Sequence, residues 1–211
     1  MYELGPRFDE LAVEPGTNLL VTGPPLTGKR RLAMEILTAG ARTGNGTIIV
    51  SARDSGQRVR AELPEAIETG PVGIVDAVTQ HLGQTVADDE RTKYTSSPKD
   101  MTAIGVKFSE LIQSFYTERT IERNRVLVDS LTTLLLYANL QTVFRFTHVF
   151  TSRIESVNAI GLYTIESTAH DDETLNTLTQ LFDGTVAVEE SGTATVSLPS
   201  GETTIGSVLS A

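Results

Sequence analysis

The chain of 211 residues contains no cysteine and carries a formal net charge of −10. The lack of thiols excludes disulfide bonds and thiolate metal sites, and an acidic chain without a basic stripe argues against nucleic acid as a partner. No apolar run reaches the ~18 residues that a membrane-spanning helix needs, so we expect no membrane partner and a single domain over residues 1–211.

The start of the chain has neither a basic segment nor an apolar segment of the signal-peptide kind, which predicts a cytoplasmic protein. Lysine is scarce, at positions 29, 93, 99 and 107, whereas Asp, Glu and Thr are plentiful. An acidic surface of this kind stays hydrated in molar salt, where charge repulsion is screened within ~3 Å. We interpret it as adaptation to a halophilic cytoplasm; the alternative is an ordinary acidic protein.

Strand-like and helix-like patterns alternate along the chain after a lead-in with a short edge element at 11–13. The first half is predicted to contain a strand at 18–22, a helix at 28–41, a strand at 47–51, a short helix from 55, a strand at 72–78, a loop at 79–89 and a short strand at 92–96. The second half is predicted to contain a helix at 99–119, a strand at 125–130, a helical stretch at 132–156 broken near Asn139, a strand at 159–166, a helix at 171–182 and a hairpin of 184–189 with 193–198. This order predicts an α/β fold: a mostly parallel, twisted sheet with helices on both faces and a C-terminal antiparallel hairpin.

Residues 23–30 lie between the first predicted strand and the first predicted helix, with the spacing G-x-x-x-x-G-K. Strand, glycine loop and helix form the context that a phosphate-binding P-loop requires. In such a loop Gly28 lets main-chain N–H groups approach phosphate, the helix dipole adds positive potential and Lys29 reaches the outer phosphates. The predicted nucleotide-binding residues are Gly23, Pro24, Pro25, Leu26, Thr27, Gly28, Lys29 and Arg30. The alternative is a glycine-rich turn with a solvated Lys29.

Arg30 stands where a P-loop carries Ser or Thr, whose hydroxyl ligates Mg²⁺. A guanidinium group has no acceptor and cannot ligate a cation. The sequence therefore leaves open whether Mg²⁺ accompanies the nucleotide. Arg30 either neutralises phosphate charge in place of the metal or points away from the site.

Acidic residues lie at the carboxyl ends of three other predicted strands: Asp54, Asp129 and Glu166. Ligands of parallel sheets bind at the carboxyl ends of strands, so we expect these side chains to converge with the glycine loop. P-loop ATPases place an acid that orients Mg²⁺ at the end of a separate strand, which makes Asp129 the candidate metal-side residue. The alternative for Asp129 is a cap of the following helix. Glu166 is either a sensor of the γ-phosphate or a surface carboxylate.

Over nearly its whole length the chain resembles KaiC-like proteins of the RecA superfamily. The resemblance rests on residues 23–29, on Ile48-Ile49-Val50-Ser51 with Arg53-Asp54-Ser55, on Val128-Asp129-Ser130-Leu131 and on Leu181-Phe182-Asp183-Gly184, in that order and spacing. Residues 143–153 are similar to short, single-domain KaiC-like proteins of halophilic archaea. The resemblance implies an ATP-binding core, frequent assembly into rings or filaments, and a role in signalling or regulation.

The resemblance also implies a catalytic glutamate just after the second strand, where this chain has Arg53 and Asp54. Asp54 is shorter by one methylene, and Arg53 stays protonated and cannot act as a base. Losing a general base typically costs ~10²–10⁴-fold in rate. With Arg30 as a second departure, we expect a regulator that binds ATP or ADP, hydrolyses ATP weakly or not at all, and forms a homo-oligomer or contacts a protein partner.

Two other functions stay open. In the first, the protein is a working ATPase whose catalytic base is Asp54. In the second, it is a pseudo-ATPase scaffold that acts through protein contacts, which the departures at Leu26 and Arg30 suggest. A recombinase role ranks last, because no basic DNA-binding loop is evident.

Overall fold

The computed structural model describes residues 1–8 and 11–208. Its strands are β1 (Tyr2–Glu3), β2 (Ala12–Val13), β3 (Asn18–Gly23), β4 (Gly46–Ser51), β5 (Val72–Asp76), β6 (Thr92–Tyr94), β7 (Asn124–Asp129), β8 (Ile160–Glu166), β9 (Gly184–Val188), β10 (Ala194–Leu198) and β11 (Gly201–Ile205). Its α-helices are α1 (Lys29–Ala41), α2 (Gly56–Ala61), α3 (Glu65–Glu68), α4 (Met101–Arg119), α5 (Leu131–Tyr137), α6 (Leu140–Ser156) and α7 (Asp172–Thr179).

Strands β3 to β11 form one nine-stranded sheet in the order β11-β10-β9-β3-β8-β7-β4-β5-β6. Neighbouring strands from β9 to β6 run parallel, and β10 pairs antiparallel with both β9 and β11. The predicted fold class is therefore confirmed: a mostly parallel α/β sheet that ends in a C-terminal antiparallel hairpin. Strand β11 was not predicted. The short strands β1 and β2 form a separate antiparallel pair.

The central strands are apolar along their whole length because helices cover both faces of the sheet. Successive side chains of a strand point to opposite faces, and the core divides accordingly. Ile49 of β4 belongs to the cluster that contains the buried side of α1. Its neighbour Ile48 belongs to the cluster formed with Phe108 of α4 and Phe150 of α6. This two-sided burial fixes the strand ends relative to one another.

Several predicted boundaries differ in detail from the structure, among them the ends of β5 and α7. Strand β5 ends at Asp76 and not at residue 78, because the Asp76 carboxylate accepts hydrogen bonds from the N–H groups of Val78 and Thr79 at 2.8 and 2.9 Å and turns the chain. Helix α7 ends at Thr179 and not at residue 182. The predicted break near Asn139 is present: its side chain caps α6 by accepting from the N–H of Thr142 at 2.9 Å.

Among the residues described, no helix combines the length and the apolar character needed to cross a bilayer.

Candidate functional site

The glycine loop connects the end of β3 to the start of α1, as the spacing predicts. Gly28 has a φ of 92°, in the left-handed region that glycine adopts at little cost. At Gly23, an added Cβ would lie 2.2 Å from the carbonyl oxygen of Val188 in β9, so no larger residue fits there. Within the loop, the Thr27 hydroxyl donates to the carbonyl oxygen of Pro24 at 2.9 Å. The loop is thus shaped by its own contacts and by the neighbouring strand.

Lys29 is the first residue of α1 and is only 8% exposed. Its Nζ donates to the carbonyl oxygen of Pro24 at 2.5 Å, which holds the ammonium group over the loop. Burial lowers the Lys29 pKa below its ordinary value, and the negative charge of Glu166 opposes that shift. The alternative of a solvated lysine is therefore wrong.

Arg30 points towards the neighbouring strands and contacts two carboxylates. Its Nε donates to Oδ2 of Asp129 at 2.9 Å, and its Nη1 pairs with Glu62. Burial acts to lower the Arg30 pKa, but the hydrogen bond with Glu62 and the charge of Asp129 outweigh it, and the pKa is raised. Asp129, 3% exposed, also accepts a hydrogen bond from the Thr164 hydroxyl at 3.0 Å. The acid and the arginine are therefore paired with each other.

Asp54 lies in the turn after β4 and is held by both its main chain and its side chain. Ser51 Oγ donates to the Asp54 carbonyl oxygen at 2.6 Å and accepts from its N–H at 3.1 Å. One carboxylate oxygen lies 3.0 Å from Arg53 Nε, and the other lies 3.4 Å from Arg58 Nε. Arg53 Nη2 is 3.8 Å from Oδ2 of Asp129, so this arginine lies between the two acids.

The strand register explains why these side chains meet. Gly23 of β3 is level with Glu166 of β8, and Ser51 of β4 is level with Asp129 of β7. Because β8 and β7 lie between β3 and β4, the carboxyl ends of four adjacent strands converge, as we expected from the sequence. Side chains from these ends, from α1 and from α2 form a cluster of three arginines and three carboxylates. We call it the ion-pair cluster: Arg30, Arg53, Arg58, Asp54, Glu62 and Asp129.

The start of α5 shows whether Asp129 caps this helix. The residue that caps α5 is Ser130, whose hydroxyl accepts from the N–H of Thr133 at 3.2 Å. The alternative that Asp129 caps this helix is therefore wrong. In the first turn, the Thr132 hydroxyl accepts from the N–H of Glu166 at 2.8 Å and lies 3.1 Å from His170 Nε2. These bonds join α5 to the end of β8.

Mg²⁺, the metal that the resemblance implies, does not fit this arrangement. Mg²⁺ takes oxygen ligands, whereas the position of the hydroxyl ligand holds the Arg30 guanidinium group. The acid expected on the metal side, Asp129, has one oxygen bonded to Arg30 and the other to Thr164. In the described part of the chain, no group of three or more His, Asp or Glu side chains is arranged to hold a metal ion.

Three members of the site were missed from the sequence: Glu62, Arg58 and Thr164. Arg58 and Glu62 are four residues apart, a spacing that favours an ion pair on one helix, and their side chains do approach to 3.2 Å. The Arg58–Glu62 pair could therefore have been predicted from the sequence. The pairing of Glu62 with Arg30 could not, because 32 residues and a strand separate them along the chain.

Residues 16–188 match the model of a family of unknown function, DUF7504. No curated protein matches the sequence. Similar solved structures include a KaiC-like protein of the hyperthermophilic archaeon Pyrococcus horikoshii, with a TM-score of 0.64 and 14% identity over 94% of this chain and 87% of that one.

Two further proteins of P. horikoshii have similar structures. One matches with a TM-score of 0.65 and 13% identity over 94% of this chain and 96% of that one. The other, an uncharacterised protein solved in complex with an unknown peptide, matches with a TM-score of 0.67 and 11% identity over 94% of this chain and 85% of that one. These likenesses confirm a KaiC-like fold of the RecA type.

Proposed function

The chain belongs to the family DUF7504, and we propose that it is a nucleotide-binding regulatory protein that hydrolyses ATP weakly or not at all. The observation that carries the proposal is the buried Lys29 ammonium group, held against a glycine loop at the start of α1. A buried ammonium is costly unless it is paired with an opposite charge, and the Pro24 carbonyl oxygen to which Lys29 donates carries no formal charge. The phosphates of ATP or ADP are the partner that a loop of this geometry binds.

The binding part of the proposal is supported by three features of the loop. Gly28 frees main-chain N–H groups to face an anion, and the N-terminus of α1 adds the positive end of its dipole. Lys29 adds a full charge at the same point. The KaiC-like fold supports the same function, since it places the loop at the carboxyl end of a central strand, where ligands of α/β sheets bind.

The ion pairs of Asp54 support the proposal that hydrolysis is weak. A general base must be free to accept a proton from the attacking water. Both carboxylate oxygens of Asp54 instead face guanidinium groups, of Arg53 at 3.0 Å and of Arg58 at 3.4 Å. A carboxylate that is engaged on both oxygens is not free to hold and orient an attacking water.

The regulatory part of the proposal, in which the protein forms a homo-oligomer or binds a protein partner, is supported by two exposed apolar side chains. Leu26, at the tip of the glycine loop, is 97% exposed, and Leu136 of α5 is 79% exposed. We also propose a single-domain protein of a halophilic cytoplasm, on the basis of the acidic, lysine-poor composition.

Isothermal titration calorimetry with ATP and ADP in molar KCl tests the binding. We expect micromolar binding by the parent protein and its loss in Lys29→Ala. The matched control is Lys99→Ala, which removes an exposed lysine outside the site and is expected to leave binding unchanged. The proposal is wrong if the parent binds neither nucleotide, a result that would favour the scaffold function.

Phosphate release tests the hydrolysis. We expect a rate near background in the parent protein and no further loss in Asp54→Ala. Steady release that Asp54→Ala abolishes would contradict the proposal and would identify Asp54 as the base of a working ATPase.

A further inference from the structure

We propose that this site binds the phosphates of a nucleotide without a divalent metal, with the guanidinium groups of Arg30 and Arg53 in the metal's place, so that Mg²⁺ weakens binding. The inference rests on the proposed nucleotide binding and adds the form of the ligand, which is the metal-free nucleotide. In the ordinary P-loop arrangement, by contrast, the metal bridges the phosphates and neutralises them.

The position of Arg30 is the first argument. It follows Lys29 directly in the first turn of α1, beside the loop that would hold the phosphates. Its side chain is held by Asp129 through Nε and by Glu62 through Nη1. A guanidinium group has five N–H donors, and these two bonds use two of them. The remaining donors leave Arg30 able to contact a phosphate while the carboxylates keep it in place.

The charge balance at Asp129 is the second argument. In a metal site this acid faces a divalent cation, but here Oδ2 lies 2.9 Å from Arg30 Nε and 3.8 Å from Arg53 Nη2. Two positive charges already occupy the surroundings of the acid. A divalent ion placed there would be repelled by both guanidinium groups, and the repulsion is strong because Asp129 is buried.

Mg²⁺ also changes the ligand itself. When Mg²⁺ chelates the phosphates of ATP or ADP, it lowers their negative charge and occupies oxygens that Lys29, Arg30 and Arg53 would contact. Guanidinium–phosphate bonds depend on that charge and on those acceptors. A site whose counter-charge is built from arginines therefore binds the free nucleotide better than the chelated one.

The test measures ADP and ATP binding by calorimetry in molar KCl, once with EDTA and once with Mg²⁺, for the parent protein and for Arg30→Thr. We expect the parent to bind more tightly in EDTA. Arg30→Thr removes one of the two guanidinium groups beside Asp129 and supplies a hydroxyl in its place. We expect it to bind roughly tenfold more weakly in EDTA and to bind more tightly when Mg²⁺ is added.

Arg31→Thr is the matched control, because it removes the same charge one residue further along α1, where Arg31 pairs with Glu35 at 3.4 Å. We expect it to keep the parent's preference for EDTA. If the parent binds only with Mg²⁺, or more tightly with it, the inference is wrong while nucleotide binding stands. If the parent binds in neither condition, the inference and the proposed function both fail. The comparison of the parent protein in EDTA and in Mg²⁺ needs no variant, so it tests the inference even if Arg30→Thr does not fold.

Discussion

Tyr163→Phe tests the buried bond that ties the strand of the glycine loop to its neighbour. Tyr163 in β8 is fully buried, and its hydroxyl donates to Oδ1 of Asn18, the first residue of β3, at 2.9 Å. Asn18 is itself buried, and its Nδ2 donates to carbonyl oxygens of Gly16 and Thr151 at 3.0 and 3.3 Å. Removing the phenol oxygen therefore leaves the buried Oδ1 of Asn18 without this donor, while the Nδ2 group of Asn18 stays bonded to Gly16 and Thr151.

The expected cost follows from that geometry. Phenylalanine keeps the ring, which packs with its centroid 4.9 Å from that of Phe182, so no large cavity forms. The remaining loss is the hydrogen bond and the desolvation of the orphaned Asn18 oxygen, about 1–3 kcal/mol. In a chain of this size each kcal/mol lowers Tm by about 2–4 °C.

Urea denaturation followed by circular dichroism, in molar KCl, measures the change. We expect a lower midpoint with an unchanged slope, since the same surface is exposed on unfolding. The control is Tyr116→Phe, at a residue that is 63% exposed, where the free energy of unfolding should move by no more than about 0.5 kcal/mol. The reasoning is refuted if Tyr163→Phe is as stable as that control.

Three further predictions concern a cap, a helix packing contact and a histidine. Asn139→Ala removes the cap of α6 and should cost about 1 kcal/mol in urea denaturation. Gly40→Ala places a Cβ 2.0 Å from Arg125 Nε and should destabilise the protein by about 1–3 kcal/mol, although alanine favours helix. Burial lowers the pKa of His170, so its imidazole should titrate below 6.5 by NMR. Because the folded protein favours the neutral ring, its contribution to stability is complete above the unfolded pKa and is lost as pH falls from there towards the folded value.

Each of these predictions has an outcome that would contradict it. A stable Asn139→Ala protein would mean that water replaces the cap. For the glycine, the control is Gly105→Ala in α4, whose added Cβ meets its nearest atom at 3.8 Å and should stabilise the helix by up to about 1 kcal/mol; equal effects at both glycines would be inconsistent with a clash. The histidine prediction fails if the resonance lost in His170→Gln titrates at or above the ordinary value.

Much of the fold could be predicted because the central strands are continuous apolar runs. Strand β4 is buried at every position, and a continuous apolar run between turn signals is what a strand covered on both faces requires. The break between α5 and α6 was also predicted, at Asn139, whose residue type favours a helix cap. The cap of α5 was not, because Asp129 and Ser130 are adjacent and both residue types favour that position. Strand β11 gave no such signal, because it lies at the edge of the sheet and its residues are mostly exposed.

Part of the site could be predicted from the sequence. Whether a residue could be placed depended on what brings it to the site. Asp129 and Glu166 end apolar strands, and the topology of parallel sheets brings such ends together. The pairing of Arg30 with Glu62 depends instead on how α2 lies beside α1, which no local pattern specifies. The Asp76 side chain likewise makes contacts of two kinds. It ends β5 by accepting from the N–H groups that follow, and it also accepts from the N–H of Gly56 at 2.6 Å, a contact 20 residues away that no local pattern specifies.

The position of β3 in the sheet has a consequence for shortened forms of the protein. Strand β3 is flanked by β8 on one side and by β9 on the other, and the carbonyl oxygen of Val188 in β9 lies against Gly23. Removing residues 184–208 would turn β3 into an exposed edge whose unpaired N–H and C=O groups invite strand-to-strand aggregation. The same cut would take away one wall of the glycine loop. A fragment that ends before β9 would therefore retain every residue of the loop motif and lack the strand that gives the loop its shape.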